Sequence, residues 1–268
     1  MLVHVRFLTA GATVFAAGFA IAGCRSSAAS PLPTTAAPVA SSSAGAGAGT
    51  TPPTPPTLEV VGRSALCFTE GAPARHDERG EDGDGGVPRH SMRLDAGAVR
   101  AFVAGDRGAR SAELAFSFRG PSAFDAPLAN GELRRQIGLK LRAQDTCNVV
   151  YVMWHVEPKP GVAVSVKRNV GRSTHAACGD GGYLNLTSDP GVARAPVVVP
   201  GDAHVLRADL DGRALRVTAD GVVVWRGELP SAALQFDGPA GFRTDNGTFD
   251  VELRVPNGRD ASDSCSGR

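Results

Sequence analysis

Tyr151, His155, Lys167 and Trp225 are the side chains whose types and positions best suit a ligand. An aromatic ring offers a flat apolar surface for stacking, and imidazole and ammonium groups supply hydrogen bonds to hydroxyls. Together they fit a polymer with both apolar and polar faces. Their spacing is that of strands. Residues 147–156 and 162–168 alternate apolar and polar positions on either side of the loop EPKPG. Aligning them across that loop pairs Trp154 with Val164 and Val152 with Val166, which predicts the core face. The other face then carries Tyr151, Met153 and His155 opposite Lys167, Ser165 and Ala163. A central strand covered on both sides would show the same pattern, with Tyr151 and His155 satisfied by internal hydrogen bonds.

Trp225 belongs to a second stretch, residues 204–225, HVLRADLDGRALRVTADGVVVW. Asp211-Gly212 and Asp220-Gly221 read as two-residue type I′ turns, whose central positions need positive φ. Such turns set the register of a three-stranded meander. Counting back from them pairs Ala208 with Leu215, Leu206 with Val217, Ala219 with Val222 and Val217 with Val224. One face is therefore apolar, and Arg207, Asp209, Arg216, Thr218 and Trp225 are expected on the other. Trp225 stacked on Arg216 is the simpler expectation for that side. A ligand site needs Trp225 and Tyr151 partly exposed in one groove.

Elements of the same kind surround these two. Residues 58–69 suit an edge strand around Cys67, and RHDERGEDGDGG after it suits a surface loop. Glu81, Asp82 and Asp84 invite a calcium reading, but the spacing lacks the third ligand and terminal Glu of an EF-hand loop, so no metal is expected. AELAFSFRG and RRQIGLKLR alternate as half-buried strands, with Asn130-Gly131 in the loop between. Residues 170–189, containing His175 and four consecutive positions rich in Gly, read as a loop over one end. They do not form a nucleotide cradle, and no cofactor is expected. Gly241 to Arg243 starts a strand, Asn246-Gly247 turns the chain, and residues 248–255 close the domain. There Phe249, Val251, Leu253 and Val255 point inward, against Asp250, Glu252 and Arg254. No amphipathic helix is expected after residue 57. The expected fold class is all-β, two antiparallel sheets packed as a sandwich.

The N-terminus reads differently. Arg6 precedes an apolar run to Ala22, with small residues before Cys24, the layout of a secretory signal over residues 1–23. Ile21-Ala22-Gly23-Cys24 resembles the bacterial lipobox, which implies that Cys24 becomes the lipidated first residue and that the protein is an exported, membrane-anchored lipoprotein of the cell envelope. Residues 24–57 hold SSSAGAGAG and TPPTPPT with no apolar period, the composition of a disordered tether. The folded domain is expected over residues 58–265. With 28 basic and 27 acidic residues in 268, the charge balance gives no support to nucleic-acid binding.

The string of a His-led strand, two DG turns and VVVW, followed by GPAGFRTDNGTFDVELRV, resembles the concanavalin A-like lectin and glucanase superfamily. The likeness covers residues 111–255. It implies a jelly-roll sandwich, often with a carbohydrate site on its concave face. The glucanase members carry Glu-x-Asp-x-x-Glu on one strand, since retaining chemistry needs two carboxyls about 5 Å apart. This chain has no such string. Asp250 and Glu252 alternate correctly but stand alone, and an exposed strand face explains them. Gly-x-Ser-x-Gly is also absent, and His155, His175 and His204 have no identifiable nucleophile. Three readings stay open: a module binding carbohydrate or another envelope polymer, a glycan hydrolase, and a structural lipoprotein that docks a protein.

Once Cys24 is set aside, Cys67, Cys147, Cys178 and Cys265 remain, an even number in an exported chain, which favours two disulfides. Three pairings exist. Cys147 starts the central hairpin and Cys178 lies in the loop returning from its partner strand. Cys67 and Cys265 flank the domain, and the first and last strands of a jelly roll are commonly neighbours. The expected pairs are Cys147 with Cys178 and Cys67 with Cys265.

Overall fold

A computed structural model describes residues 56–73, 91–106, 108–128, 130–256 and 265. The signal segment, Cys24, almost all of the tether, and Glu81, Asp82 and Asp84 lie outside the described residues. The strands in chain order are β1 (Leu58–Val60), β2 (Leu66–Glu70), β3 (Met92–Val103), β4 (Ser111–Gly120), β5 (Arg135–Leu141) and β6 (Val149–Glu157). They continue as β7 (Gly161–Lys167), β8 (Tyr183–Leu186), β9 (Ala203–Asp211), β10 (Ala214–Ala219), β11 (Val222–Glu228) and β12 (Gly241–Pro256). One four-residue helix, α1 (His175–Cys178), sits between β7 and β8.

The pairings run in the order β11-β10-β9-β4-β12-β5-β6-β7-β8, with β3 also on β12. β12 is the branch point. Its first half pairs with β5 and its second half with β4, while β3 follows it along the opposite edge. The β5–β8 branch and the β4–β11 branch then pack on each other. Trp154 of β6 meets Phe116 of β4 edge-on at 5.4 Å and the His204 ring of β9 at 5.2 Å. The result is the all-β, antiparallel jelly-roll sandwich expected from the sequence.

Asn246-Gly247 does not reverse the chain. It bends a continuous β12, with Asn246 at φ 54, and its amide group closes the bend by bonding Ala126 N, Ala126 O and Arg134 O at 2.7, 2.8 and 3.1 Å. The extra residues switch the inward parity from Phe242 and Thr244 to Phe249, Val251 and Leu253. A Cβ at Gly247 would lie 2.5 Å from the Phe249 ring, so the bend requires glycine.

Two hairpin registers differ from the expectation by two residues, which leaves every side chain on its expected face. Asp211 pairs with Ala214, so the β9–β10 turn is centred on Gly212-Arg213, and Ala208 faces Val217. Gly212, at φ 56, takes the first central position, as a type II′ turn requires. Across the EPKPG loop, Trp154 faces Val162, Val152 faces Val164 and Tyr151 faces Ser165.

A third difference changes a face. Asp220 and Gly221 form the expected positive-φ turn, and Ala219 pairs with Val222. A bulge then intervenes, because Thr218 faces Val223 whereas Val217 faces Trp225. That one-residue slip turns Trp225 into the core, where it is 3% exposed. Trp225 is therefore not on the solvent side beside Arg216.

Both disulfides, Cys67–Cys265 and Cys147–Cys178, form in the expected pairing. Two strands went unread in the sequence. β3 passes from Met92 and Leu94 to Val99, Ala101 and Val103 with a change of parity. β8 is a short edge strand within the stretch expected to be all loop.

Candidate functional site

The face of β3, β12, β5, β6, β7 and β8 that turns away from the main core is built in rows. One row runs Phe102, Gly241, Lys140, Tyr151, Ser165 and Asn185. The next holds Arg100, Arg243, Gly138, Met153 and Ala163. A third holds Asp245, Gln136 and His155, and Lys167 pairs with Tyr183 at the far edge. Gly138 and Gly241 are small because the strands crowd there. A Cβ on Gly138 would lie 2.2 Å from Val152 O, and one on Gly241 2.1 Å from Ala101 O.

Asp245 is the electrostatic centre. It is 1% exposed, and accepts from Arg243 Nε at 2.7 Å, Arg243 Nη2 at 3.3 Å, Arg100 Nη2 at 2.7 Å and Gln136 Nε2 at 2.6 Å. Burial opposes its ionisation, but the Arg243 and Arg100 charges prevail and hold the carboxyl below its usual range. Burial likewise opposes the charge on Arg243, and Asp245 more than restores it.

From Arg243 a ladder of cations and rings crosses the face. The Arg243 guanidinium lies 5.3 Å from the Tyr151 ring, Tyr151 stacks on Tyr183 at 6.1 Å and 23°, and Lys167 Nζ sits 5.2 Å from the Tyr183 ring. Lys167 also donates to Gly179 O at 2.6 Å. Burial pushes the Tyr151 hydroxyl up to about 12, and burial lowers Lys167. Tyr151 is 6% exposed, so the ring that solvent reaches is Tyr183, 40% exposed.

Lys140 has a different environment. It is 4% exposed, and among the described residues its ammonium meets the Phe102 ring at 6.0 Å with no hydrogen-bond acceptor in reach. Burial first, then repulsion by Arg100 and Arg243, lowers its pKa to about 7, with Glu70 acting the other way. His155 is half-buried, and burial lowers its imidazole to about 4, aided by Arg134. Gln136 Oε1 is buried without a partner.

Of the residues singled out from sequence, the structure brings Tyr151, His155 and Lys167 onto one face and leaves Trp225 in the core; Tyr151 and Trp225 are both buried, so the groove lined by those two rings that the sequence required of a ligand site does not form. The rest of this face was not recognised from sequence. Arg100 lies on the unread β3 and Tyr183 on the unread β8, while Arg243, Asp245, Gln136 and Lys140 lie on recognised strands but drew no notice. Alternation alone marks the last four: Arg243 sits between Phe242 and Thr244 and Lys140 between Leu139 and Leu141, while Asp245 follows Thr244 and Gln136 precedes Ile137.

The two isolated acids of the sequence are on the other branch, and both are neutralised. Asp250 accepts from Arg93 Nε and Arg119 Nε, each at 2.7 Å, and Glu252 from Arg254 Nε at 2.7 Å. His204 Nδ1 lies 2.9 Å from Asp220 Oδ2, which ties β9 to the β10–β11 turn. Among the described residues no three His, Cys, Asp or Glu side chains gather as a metal site.

No family model and no curated protein matches this chain. Among solved structures it is similar to a carbohydrate-binding module, CBM66, from Bacillus subtilis, with 13% identity, a TM-score of 0.45, and coverage of 70% of this chain and 92% of that one. It is also similar to the catalytic domain of an endo-1,3-beta-glucanase from Thermotoga petrophila, with 12% identity, a TM-score of 0.39, and coverage of 65% and 80%. Domain 4 of a GH43 extracellular arabinanase from Geobacillus stearothermophilus gives 12% identity, a TM-score of 0.39, and coverage of 71% and 82%. Neither activity nor ligand passes from these proteins to this chain.

Proposed function

We propose that this chain is a cell-envelope lipoprotein whose β-sandwich binds a saccharide on the face of β3, β12, β5, β6, β7 and β8. The observation that carries the reading is the Tyr183 ring, 40% exposed, stacked on Tyr151 and flanked by Lys167. A solvent-facing ring held rigid from behind, with charged hydrogen-bonding groups at its edge, suits the apolar face and hydroxyls of a sugar. A glycan array probed with the full-length protein tests it. Binding by the wild type that Tyr183→Ala weakens is the expected result, and an array on which the wild type binds nothing would defeat the reading.

The anchoring part rests on Ile21-Ala22-Gly23-Cys24 and the tether that follows. Cys24→Ala should release the protein from the membrane fraction or leave an unprocessed precursor. A mature, membrane-bound Cys24→Ala product would contradict it.

A further inference from the structure

The polar face is accessible to a ligand mainly along its last strand. Inward from β8, Lys167, Tyr151 and Met153 are all buried, and the Lys167 ammonium is given to Gly179 O. On β8 the burial reverses. Tyr183 and Asn185 are both exposed, and side chains two residues apart share a face of a strand, so they stand on the polar side about 7 Å apart. Ser165 of β7, half-buried, lies directly opposite Asn185. Arg168 N donates to Gly182 O, and counting back by alternation makes Ser165 and Asn185 a non-hydrogen-bonded pair, the type whose side chains approach more closely. Among the described residues neither the Asn185 amide nor the Ser165 hydroxyl has a hydrogen-bond partner. Water satisfies most exposed polar groups, so this pair is notable for its place: it is the next position along the strand from an exposed ring that Tyr151 supports from behind. The strip is also open before Tyr183, where Gly181 and Gly182 are exposed and carry no side chain.

We propose that the saccharide lies along β8 rather than across the sheet, as an internal stretch of a linear, uncharged glycan. One sugar stacks on Tyr183, and the next hydrogen-bonds to the Asn185 amide and the Ser165 hydroxyl. The inference rests on the saccharide reading above and narrows it. The direction follows from burial, because contacts across the sheet would need side chains that solvent does not reach, whereas contacts along β8 do not. The chemistry follows from the groups presented. A primary amide and a hydroxyl each donate and accept, which matches the hydroxyls of a neutral sugar and gives no preference to a charged group. Recognition of a chain interior follows from the exposed glycines, which put no side chain where a chain end would be enclosed.

Calorimetry on full-length protein in nonionic detergent tests this, with oligosaccharides of one to six sugars derived from cellulose, laminarin, mannan, xylan and arabinan. In at least one series affinity should rise about ten-fold from one sugar to three, the worth of added hydrogen bonds between neutral groups, and then level off. The six-sugar member methylated on both terminal sugars should bind as well as the unmodified one. Asn185→Ala should remove the gain with length and leave the single sugar unchanged, while Tyr183→Ala weakens every length alike. Asn185 is exposed, so its variant should match the wild type in thermal unfolding. Equal affinity at every length, or loss of binding on terminal methylation, would overturn the proposal and leave the saccharide reading intact. An equal loss at every length in Asn185→Ala would put Asn185 and Tyr183 under one sugar and overturn the two-sugar assignment. Binding on the glycan array with none of the five series bound would overturn the linear chain alone, and no binding in either experiment would overturn both readings.

Discussion

Both branches of this sandwich bury charge on a face turned away from the core, yet they treat it differently. On the β9–β4–β12 side the charges are matched into a ladder. Arg93 and Arg119 share Asp250, Arg254 joins Glu252 to Glu113, and Arg207 holds Asp209. On the β12–β5–β6 side one carboxylate, Asp245, serves two arginines, and Lys140 on the next strand has the Phe102 ring as its neighbour among the described residues. The first arrangement is complete in itself. The second leaves Gln136 Oε1 buried without a partner, on the face whose far edge carries the exposed Tyr183 ring.

The two carboxylates at the centres of these arrangements give the sharpest contrast. Asp245→Asn leaves Arg100 and Arg243 buried without a counter-charge and should cost about 3 to 5 kcal/mol in denaturant unfolding. Asp250→Asn should cost about 1 kcal/mol, because the Arg93 and Arg119 side chains are 41% and 31% exposed and water replaces the lost partner. Equal losses would erase the distinction between the two faces.

The aromatic residues divide in the same way. Trp225→Ala should cost about 3 to 5 kcal/mol of stability, the usual loss for a large core side chain. Tyr183→Ala should cost under about 1 kcal/mol, since that ring is half outside the fold. A destabilising Tyr183→Ala would show that its stack on Tyr151 serves packing instead.

A smaller effect concerns pH. The unfolded chain keeps Lys140 protonated to about pH 10.4, whereas in the folded protein burial brings its pKa to about 7. Between those values the unfolded state binds more protons, so this residue makes stability climb as pH rises through the window. Lys140→Met should flatten the climb seen in pH-dependent thermal unfolding. An unchanged slope would mean that Lys140 is not desolvated.

Period-two alternation made the fold legible, and turn chemistry limited the detail. Hairpin registers off by two, at Gly212-Arg213 and across EPKPG, did no harm because faces repeat every two residues. Trp225 was misplaced by a single bulged residue, which nothing in VVVW announces. The disulfides were legible from the positions of their cysteines along the strands. The ligand face was half legible. Tyr151, His155 and Lys167 followed from one hairpin, but Asp245 and Lys140 become a site only when β12 brings β3 and β5 to its two edges. That pairing spans more than a hundred residues and leaves no local signal.

The most direct test measures, on a glycan that binds the full-length protein, the affinities of Tyr183→Ala and Arg216→Ala, one from the polar face of β8 and one from the outer surface of the meander. Tyr183→Ala should weaken binding by roughly 1 to 3 kcal/mol, the size of a lost aromatic contact at the centre of an interface, and Arg216→Ala should leave it unchanged. Unchanged binding by Tyr183→Ala, with a loss in Arg216→Ala, would move the ligand to the other branch and contradict the account.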